Sequence, residues 1–238
     1  MMPFGQTPPN RLKDGDAPVG GSERGSCALR VSEIFASLQG ESSRVGFPTV
    51  FVRLTGCPLR CVWCDTEYAY HGGENLDLKT ILGDVAAYAL HYVCVTGGEP
   101  LAQADCPALL CALCDTGYSV SLETSGALDI SGIDPRVSRI VDLKAPGSGE
   151  SGRNCYENIP LLNAQDEIKI VLADEGDYQW AKQQLLSLRL TERCPVLLSP
   201  VIGQLDPARL AEWIVRDRLP VRFQLQLHKV LWKNARGR

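Results

Sequence analysis

The stretch TVFVRLTGCPLRCVWCDT, residues 49–66, joins an apolar strand to a loop that carries three cysteines. Residues 49–54 are β-branched or apolar at every position except Arg53, which is typical of a strand buried within a sheet. The cysteine loop begins directly after this strand. Because the chemistry of α/β folds lies at the carboxyl ends of their strands, we expect the loop to face a functional site.

The rest of the chain alternates between short apolar stretches and longer amphipathic ones. Further strands are predicted at residues 92–95, 118–122, 139–143, 167–172, 195–198 and 221–227, and helices at 77–90, 105–115, 177–188 and 206–218. Such alternation predicts βαβ units and a parallel sheet. About six units fall short of the eight that close a full barrel. The sequence therefore predicts an α/β fold, an open, partial βα barrel, with the cysteine loop after an early strand.

Polar motifs follow three of the later predicted strands. They are TGGEP at 96–100, ETSG at 123–126 and DLK at 142–144. Since the carboxyl ends of parallel strands meet at one edge of the sheet, these motifs and the cysteine loop should converge on one rim.

Composition excludes several classes of protein. The chain has 238 residues, enough for one domain, and a formal net charge of −4 with no basic face, so bulk nucleic-acid binding is not indicated. No apolar run is long enough to span a membrane, and no apolar segment follows Arg11 and Lys13, so we expect a cytoplasmic protein. Ten cysteines in such a chain are free thiols or metal ligands rather than a disulfide framework.

Both ends of the chain look unlike the middle. Residues 1–26 are rich in proline, glycine and charge and have almost no apolar content, so we interpret them as a disordered tail before one folded domain, 27–238. Basic residues cluster at the other end, where we interpret them as a solvated tail. They are Lys229, Lys233, Arg236 and Arg238.

The cysteines of the loop, Cys57, Cys61 and Cys64, have the spacing Cys-x3-Cys-x2-Cys, with no fourth cysteine or histidine close by. Structural zinc sites and electron-transfer clusters take four protein ligands. Three thiolates can instead bind three corners of an iron–sulfur cube and leave the fourth iron open to another ligand. The alternatives are a zinc knuckle completed by a remote residue, or reduced core cysteines.

A second cysteine group, Cys106, Cys111 and Cys114, resembles part of a ferredoxin spacing. It falls within the predicted helix 105–115, whose leucines recur at helical spacing. We therefore predict buried core cysteines and no second cluster. The same prediction applies to the isolated cysteines Cys27, Cys94, Cys155 and Cys194.

The triad and the TGGEP loop together resemble the radical S-adenosylmethionine (SAM) superfamily. In that superfamily SAM chelates the open iron of a [4Fe-4S] cluster, and an electron from the cluster cleaves SAM to give a 5′-deoxyadenosyl radical. The glycine-rich loop contacts the methionine moiety, and its glycines allow such close backbone approach.

Further motifs are similar to those of the 7-carboxy-7-deazaguanine synthase family. They are SEIF (32–35), LQGE (38–41), RLTGC (53–57), WCDT (63–66), ETSG (123–126), DLKAPGSGE (142–150) and QLHK (226–229). The resemblance covers residues 30 to 232. It implies a lyase for queuosine biosynthesis that takes a hydrogen atom from C6 of 6-carboxy-5,6,7,8-tetrahydropterin, contracts the ring and releases ammonia. It also implies regenerated SAM, Mg²⁺, an electron donor such as flavodoxin or ferredoxin, and a homodimer.

The resemblance also assigns roles to residues. The contacts with the pterin fall on Leu38, Gln39, Gly40, Arg53, Thr96, Glu123 and His228. The contacts with SAM fall on Trp63, Cys64, Asp65, Gly98, Asp142, Leu143, Lys144, Ser199, Pro200, Val201 and Ile202. Thr66 would bind Mg²⁺ beside Asp65. Arg53 suits the substrate carboxylate, because its guanidinium is a planar, two-pronged match for it.

Two other functions share some of these features. A radical activase acting on a glycine of a protein partner has the same triad, but Arg53 and residues 38–40 favour a small carboxylated pterin. An electron carrier gains nothing from an open iron. In some relatives the terminal carboxylate of the chain reaches the substrate, and the longer basic tail of this chain puts that contact in doubt.

Overall fold

A single nine-stranded sheet organises the computed structural model, which describes residues 27–233 and 235–237. The predicted tail at 1–26 lies outside the described residues. The strands are β1 (Ala28–Leu38), β2 (Pro48–Leu54), β3 (Glu74–Asp77), β4 (Tyr92–Gly97), β5 (Ser119–Thr124), β6 (Ser138–Asp142), β7 (Glu167–Leu172), β8 (Val196–Pro200) and β9 (Arg222–Phe223). Their order in the sheet is β3-β1-β2-β4-β5-β6-β7-β8-β9.

The strands from β2 to β9 in this order all run parallel, while β1 pairs antiparallel with both β2 and β3. The helices are α1 (Leu78–Ala86), α2 (Cys106–Asp115), α3 (Glu175–Ser187), α4 (Pro207–Asp217) and α5 (Leu227–Trp232). The predicted open, partial βα barrel is therefore confirmed. None of the helices in the described part of the chain is both long and apolar enough to cross a membrane.

The two faces of the sheet differ in what they contact. Ile168, Ile170 and Leu172 of β7 belong to the main hydrophobic core, and the residues between them, Lys169 and Val171, point to the opposite face and line a cavity. This alternation follows from the two-residue period of a strand. The sheet thus supplies an apolar face to the core and a polar face to a site.

The predicted strand at 221–227 is wrong for most of its length. Only Arg222 and Phe223 pair with β8, and a helix begins at Leu227. Two glutamines explain the difference, because their side chains bind the loop after β1 instead of continuing the sheet. Gln224 accepts from the Ser42 amide at 2.7 Å, and Gln226 donates to Glu41 at 2.7 Å. His228 consequently lies on α5 rather than after a strand.

The prediction that the cysteines outside the loop are buried core residues is confirmed for only some of them. Cys94, Cys106 and Cys194 are buried, and Cys114 packs against the core. Cys27 and Cys155 are half-buried, and so is Cys111, whose thiol contacts Asp115 at 3.7 Å at the surface. Cys106 and Cys111 face different environments on α2, so this helix does not form a second cluster site.

Removal of the Asp166 carboxylate should destabilise the fold strongly. Asp166 is fully buried and accepts from Arg139 Nε at 3.0 Å and Nη2 at 2.5 Å. The substitution Asp166→Ala leaves a buried guanidinium without its counter-charge, so we expect the free energy of unfolding to fall by about 3–5 kcal/mol. Chemical denaturation measures the loss. The control is Asp115→Ala, which breaks an exposed pair with Arg136. Equal losses in the two variants would contradict the account.

Candidate active site

A cavity of about 700 Å³ opens at the carboxyl ends of β2, β4, β5, β6 and β7. Most of the residues predicted for the site line it, although they are distant in sequence. They are Leu38, Gln39, Gly40, Arg53, Cys57, Cys61, Trp63, Cys64, Asp65, Thr66, Thr96, Gly98, Glu123, Asp142, Lys144, Val201 and His228. The predicted convergence of strand ends on one rim accounts for this grouping.

The cysteine loop is held by backbone hydrogen bonds before and within the triad. The Gly56 amide donates to Ala69 O at 2.8 Å, and the Val62 amide donates to Ser148 O at 3.0 Å. All three thiols are free and half-buried. In the part of the chain that the structure describes, no three His, Cys, Asp or Glu side chains converge on a single metal ion. Thiolates that each bind a different iron of a cube need no such convergence.

Burial shapes the chemistry of the thiols. It raises the pKa of Cys57 and Cys61, while Lys144 opposes the shift at both. Burial and the neighbouring Cys64 likewise raise the pKa of the Tyr70 hydroxyl. The thiols of Cys57 and Cys61 are therefore protonated at neutral pH, as expected of ligands that deprotonate on metal binding.

The glycine-rich loop presses directly against the cysteine loop. The Glu99 amide donates to Gly56 O at 2.7 Å. A Cβ on Gly98 would lie 2.3 Å from Gly56 O and 2.8 Å from Cys57 Cβ. The buried Glu99 carboxylate also accepts from the Thr124 hydroxyl and the Ser125 amide, at 2.9 Å and 2.7 Å. The TGGEP, cysteine and ETSG loops thus form one rigid unit.

Gly98→Ala should displace the cysteine loop, because the added methyl group meets backbone that has no room to move. We expect the variant to retain much less iron than the unmodified protein after anaerobic reconstitution. Iron and sulfide analysis measures the loss. The control is Gly83→Ala on α1, where a Cβ meets nothing within 4 Å. Full iron content in the Gly98 variant would show that the close approach of Gly98 to Gly56 and Cys57 is not needed for cluster binding.

A polar cluster lines the same cavity as the cysteines. Glu123 Oε1 accepts from Gln39 Nε2 at 3.2 Å, and Glu123 Oε2 accepts from Thr96 Oγ1 at 3.1 Å. Three residues predicted to contact the pterin therefore contact one another. Their amide, hydroxyl and carboxylate groups offer both donors and acceptors to a flat heterocycle.

Gly40 and His228 are also in contact. A Cβ on Gly40 would lie 2.3 Å from His228 Nδ1, so only glycine allows the imidazole to pack there. The Leu227 amide donates to Gly40 O at 2.9 Å, which fixes the start of α5 against the loop after β1. Gly40 thus places His228 at the cavity.

Arg53 projects from β2 into the cavity beside an acidic partner. Its Nε donates to Glu33 Oε1 at 2.7 Å, and the Tyr68 hydroxyl donates to the same oxygen at 2.8 Å. Burial would lower the pKa of Arg53, but Tyr68 and Glu33 raise it above its ordinary value. Since only Nε bonds to Glu33 among the described residues, the two Nη groups remain suited to a second carboxylate.

A buried ionic network that sequence reasoning missed crosses the base of the cavity. Lys169 Nζ lies 2.6 Å from Glu41 Oε2 and 3.5 Å from Asp142 Oδ2, and Lys144 Nζ lies 2.9 Å from the same Asp142 oxygen. A lysine within the apolar run EIKIVL was the available signal, because an unpaired charge is costly in a buried strand. Lys169 joins the loop that follows Leu38 to the strand that carries Asp142.

The predicted Mg²⁺ ligand, Thr66, lies on the rim. Its hydroxyl donates to Asp65 Oδ1 at 2.8 Å, and Asp65 Oδ2 lies 2.8 Å from Lys229 Nζ. Burial would raise the pKa of Asp65, but Lys229 and Thr66 hold it well below its usual range. Lys229 therefore pairs with a residue of the site, and its predicted place in a solvated tail is wrong.

Four residues assigned to the SAM contacts do not line the main cavity. The Leu143 side chain packs in the core, Ser199 and Pro200 are buried, and Ile202 is half-exposed at a smaller hollow beside it. Leu143 can contact a ligand only through its backbone. Asp142 Oδ1 and Ser199 Oγ are buried and have no hydrogen-bond partner in the described chain, and of the two residues Asp142 lines the cavity, so its free oxygen suits a hydroxyl of a bound ligand.

Comparisons with known proteins agree with this geometry. Residues 51–144 match the sequence profile of the Radical SAM superfamily. A protein named 7-carboxy-7-deazaguanine synthase from Chlorobaculum tepidum is 50% identical over 213 residues, covering 88% of this chain and 97% of the relative. One of the same name from Koribacter versatilis is 39% identical, covering 86% and 97%. The crystal structure of QueE from Escherichia coli shares the fold with a TM-score of 0.66 at 24% identity, covering 84% of this chain and 95% of that chain.

Proposed function

The chain belongs to the 7-carboxy-7-deazaguanine synthase family of radical SAM enzymes, and on that premise we propose that its cavity converts 6-carboxy-5,6,7,8-tetrahydropterin into 7-carboxy-7-deazaguanine and ammonia. The observation that carries the proposal is a single cavity lined by both the cysteine triad and Arg53. The cysteines are ligands for an iron–sulfur cluster, and the guanidinium of Arg53 is a positive charge for the carboxylate of the substrate. The lyase family predicted from the sequence is confirmed.

The residues fit a [4Fe-4S] cluster with SAM. Three free, half-buried thiols occupy one loop, and two buried polar atoms, Asp142 Oδ1 and Ser199 Oγ, have no partner in the described chain. Cys57, Cys61 and Cys64 would hold the cluster, and Gly98, Asp142 and Lys144 would contact SAM. When bound, the cluster and SAM supply the one-electron chemistry that starts hydrogen abstraction.

The other residues bind and orient the substrate. Arg53 holds the carboxylate with its Nη groups, and Gln39, Thr96 and Glu123 bind the edge of the pterin. Glu123 accepts from the ring amines once Gln39 and Thr96 turn toward the ligand. His228, held by Gly40, closes the cavity from α5. This arrangement fixes C6 of the pterin in one orientation and excludes water, which protects reactive intermediates.

Magnesium belongs to the proposal as well. Thr66 Oγ1 is an oxygen donor on the cavity wall, and the Asp65 carboxylate lies beside it. Mg²⁺ commonly takes one or two protein ligands and completes its shell with water and substrate oxygens. Thr66 would then hold the cation, which would supply positive charge beside the substrate.

The proposed setting of the enzyme follows from its family and its chemistry. A reduced cluster needs an electron donor, such as flavodoxin or ferredoxin, and free thiols need a reducing compartment such as the cytoplasm. We also propose a homodimer.

The test is anaerobic reconstitution followed by incubation with reductant, SAM, Mg²⁺ and carboxytetrahydropterin. The proposal predicts a product with the absorbance and mass of 7-carboxy-7-deazaguanine. A matched reaction with tetrahydropterin, which lacks the carboxylate, should give far less product. SAM cleavage with no deazapurine from either substrate would overturn the proposal.

A further inference from the structure

The end of the chain turns back toward the cavity. After α5 ends at Trp232, Lys233 takes a φ of 54° and a ψ of −114°, and the Ala235 amide donates to Trp232 O at 3.1 Å. Ala235, Arg236 and Gly237 consequently line the cavity. Lys233, Ala235 and Arg236 are exposed to solvent, as predicted for the tail, and the segment also forms part of the cavity wall.

Arg236 stacks on an aromatic ring at the site. Its Cζ lies 4.3 Å from the centroid of the Tyr68 ring, and the Cζ of Arg53 lies 5.8 Å from the same centroid. Stacking of this kind holds the guanidinium through its face. The N–H groups at its edge remain available to an acceptor.

Arg236 lacks a partner of opposite charge. Two guanidinium groups lie near the Tyr68 ring, and within the described ranges Glu33 bonds to Arg53, on which the charge of Glu123 also acts. Arg236 forms no ion pair within 4.0 Å with any residue in those ranges. A surplus positive charge in a cavity wall favours an anionic ligand.

We propose that Arg236 is a specificity-determining residue that binds the carboxylate of the substrate together with Arg53. The inference rests on the proposed function, because it assigns a second cation to the same substrate group. Arg53 approaches the carboxylate from the sheet, and Arg236 approaches it from the tail. Arg236 therefore contacts the carboxylate, the group that distinguishes a carboxylated pterin from pterin itself.

The test compares the affinities of two unreactive ligands, 6-carboxypterin and pterin, for the reconstituted enzyme. Isothermal titration calorimetry gives both dissociation constants. Arg236→Ala should lower the affinity for 6-carboxypterin about tenfold, which is the loss expected for a charged hydrogen bond. It should change the affinity for pterin by less than about twofold. Arg236→Lys should restore part of the affinity, since it keeps the charge but loses the planar fork.

A matched control separates recognition from a general effect of removing a stacked arginine. Arg209 stacks on Trp213 at 5.0 Å on α4 and does not line the cavity. Arg209→Ala should leave both affinities unchanged. Tyr68→Phe, which keeps the ring, should retain more of the preference for 6-carboxypterin than Tyr68→Leu.

Three results would overturn the inference. Unchanged 6-carboxypterin binding in Arg236→Ala would show that the tail does not touch the carboxylate. Equal losses of affinity for 6-carboxypterin and pterin would show that Arg236 shapes the cavity but does not bind the carboxylate. Failure of the unmodified enzyme to bind either ligand would overturn the proposed function itself, and this outcome is distinguishable because it precedes any substitution.

Discussion

Cys61→Ala is expected to abolish product formation and to prevent reconstitution of the cluster. Cys61 is one of only three cysteines in its loop, and no fourth cysteine or histidine lies close by in the sequence. A loop with two thiolates cannot hold three corners of a cube. Iron analysis, the absorbance of the cluster and the yield of 5′-deoxyadenosine measure the effect.

The fold should survive this substitution. The loop is anchored by backbone hydrogen bonds from Gly56 and Val62 that do not use the Cys61 side chain. The matched controls are Cys111→Ala and Cys114→Ala on α2, which should retain both cluster and activity. Loss of the cluster in either control would contradict the conclusion that the second cysteine group is structural. A fully reconstituted Cys61 variant would contradict the assignment of the triad.

Lys169→Met should lower both stability and activity strongly. The substitution leaves the carboxylates of Glu41 and Asp142 without their shared cation, and the side chains of both are mostly buried. Breaking a buried pair by removing one partner costs about 3–5 kcal/mol, so we expect a loss of that order in the free energy of unfolding at neutral pH. Activity should fall because Glu41 immediately follows the predicted pterin-binding residues 38–40.

The stability loss should depend on pH in a definite direction. Burial would raise the pKa of Glu41, but Lys169 and His228 hold it below its ordinary value. In the unmodified protein this contribution to stability is present above the unfolded pKa, about 4.3, and is lost as pH falls through the folded pKa. Without Lys169 burial dominates, the pKa of Glu41 rises, and protonation stabilises the variant. The difference in the free energy of unfolding between the unmodified protein and the variant should therefore become smaller as pH falls.

Denaturation with guanidinium at neutral pH and near the pKa of a free carboxyl group measures this gap. The control is Lys182→Met, which removes a lysine at the same 2.6 Å distance from a carboxylate, Asp217, but at a more exposed position. Its loss in the free energy of unfolding should be smaller than that of Lys169→Met, because solvent screens the more exposed pair. If the difference in the free energy of unfolding between the unmodified protein and Lys169→Met stays constant or widens as pH falls, Lys169 does not lower the pKa of Glu41.

The sequence predicts the parallel strands well because their apolar runs are short and bounded. The strand β7 matches its prediction at both ends, since EIKIVL is continuous and buried. The strand β1 escaped prediction because polar residues interrupt it and it pairs antiparallel at one side of the sheet. The strand β9 was overestimated because Gln224 and Gln226 have a strand-like pattern but bind a distant loop.

The site was predictable where a motif carried it and hidden where tertiary contacts create it. The triad, Gly98 and Arg53 lie at strand ends that the alternating pattern places on one rim. The pairing of Lys169 with Glu41 joins residues 128 positions apart, which no local pattern reveals. The contact between Arg236 and Tyr68 was hidden for the same reason, because the two residues lie in different parts of the chain.

The most direct test of the account is the number of product molecules formed per molecule of SAM supplied. The reconstituted enzyme is given SAM in limiting amount with carboxytetrahydropterin, Mg²⁺ and reductant in large excess, and deazapurine and 5′-deoxyadenosine are quantified together. The proposed function, with SAM regenerated in each turnover as the family resemblance implies, predicts more 7-carboxy-7-deazaguanine than SAM supplied. Accumulation of 5′-deoxyadenosine in proportion to SAM, with no deazapurine, would contradict it.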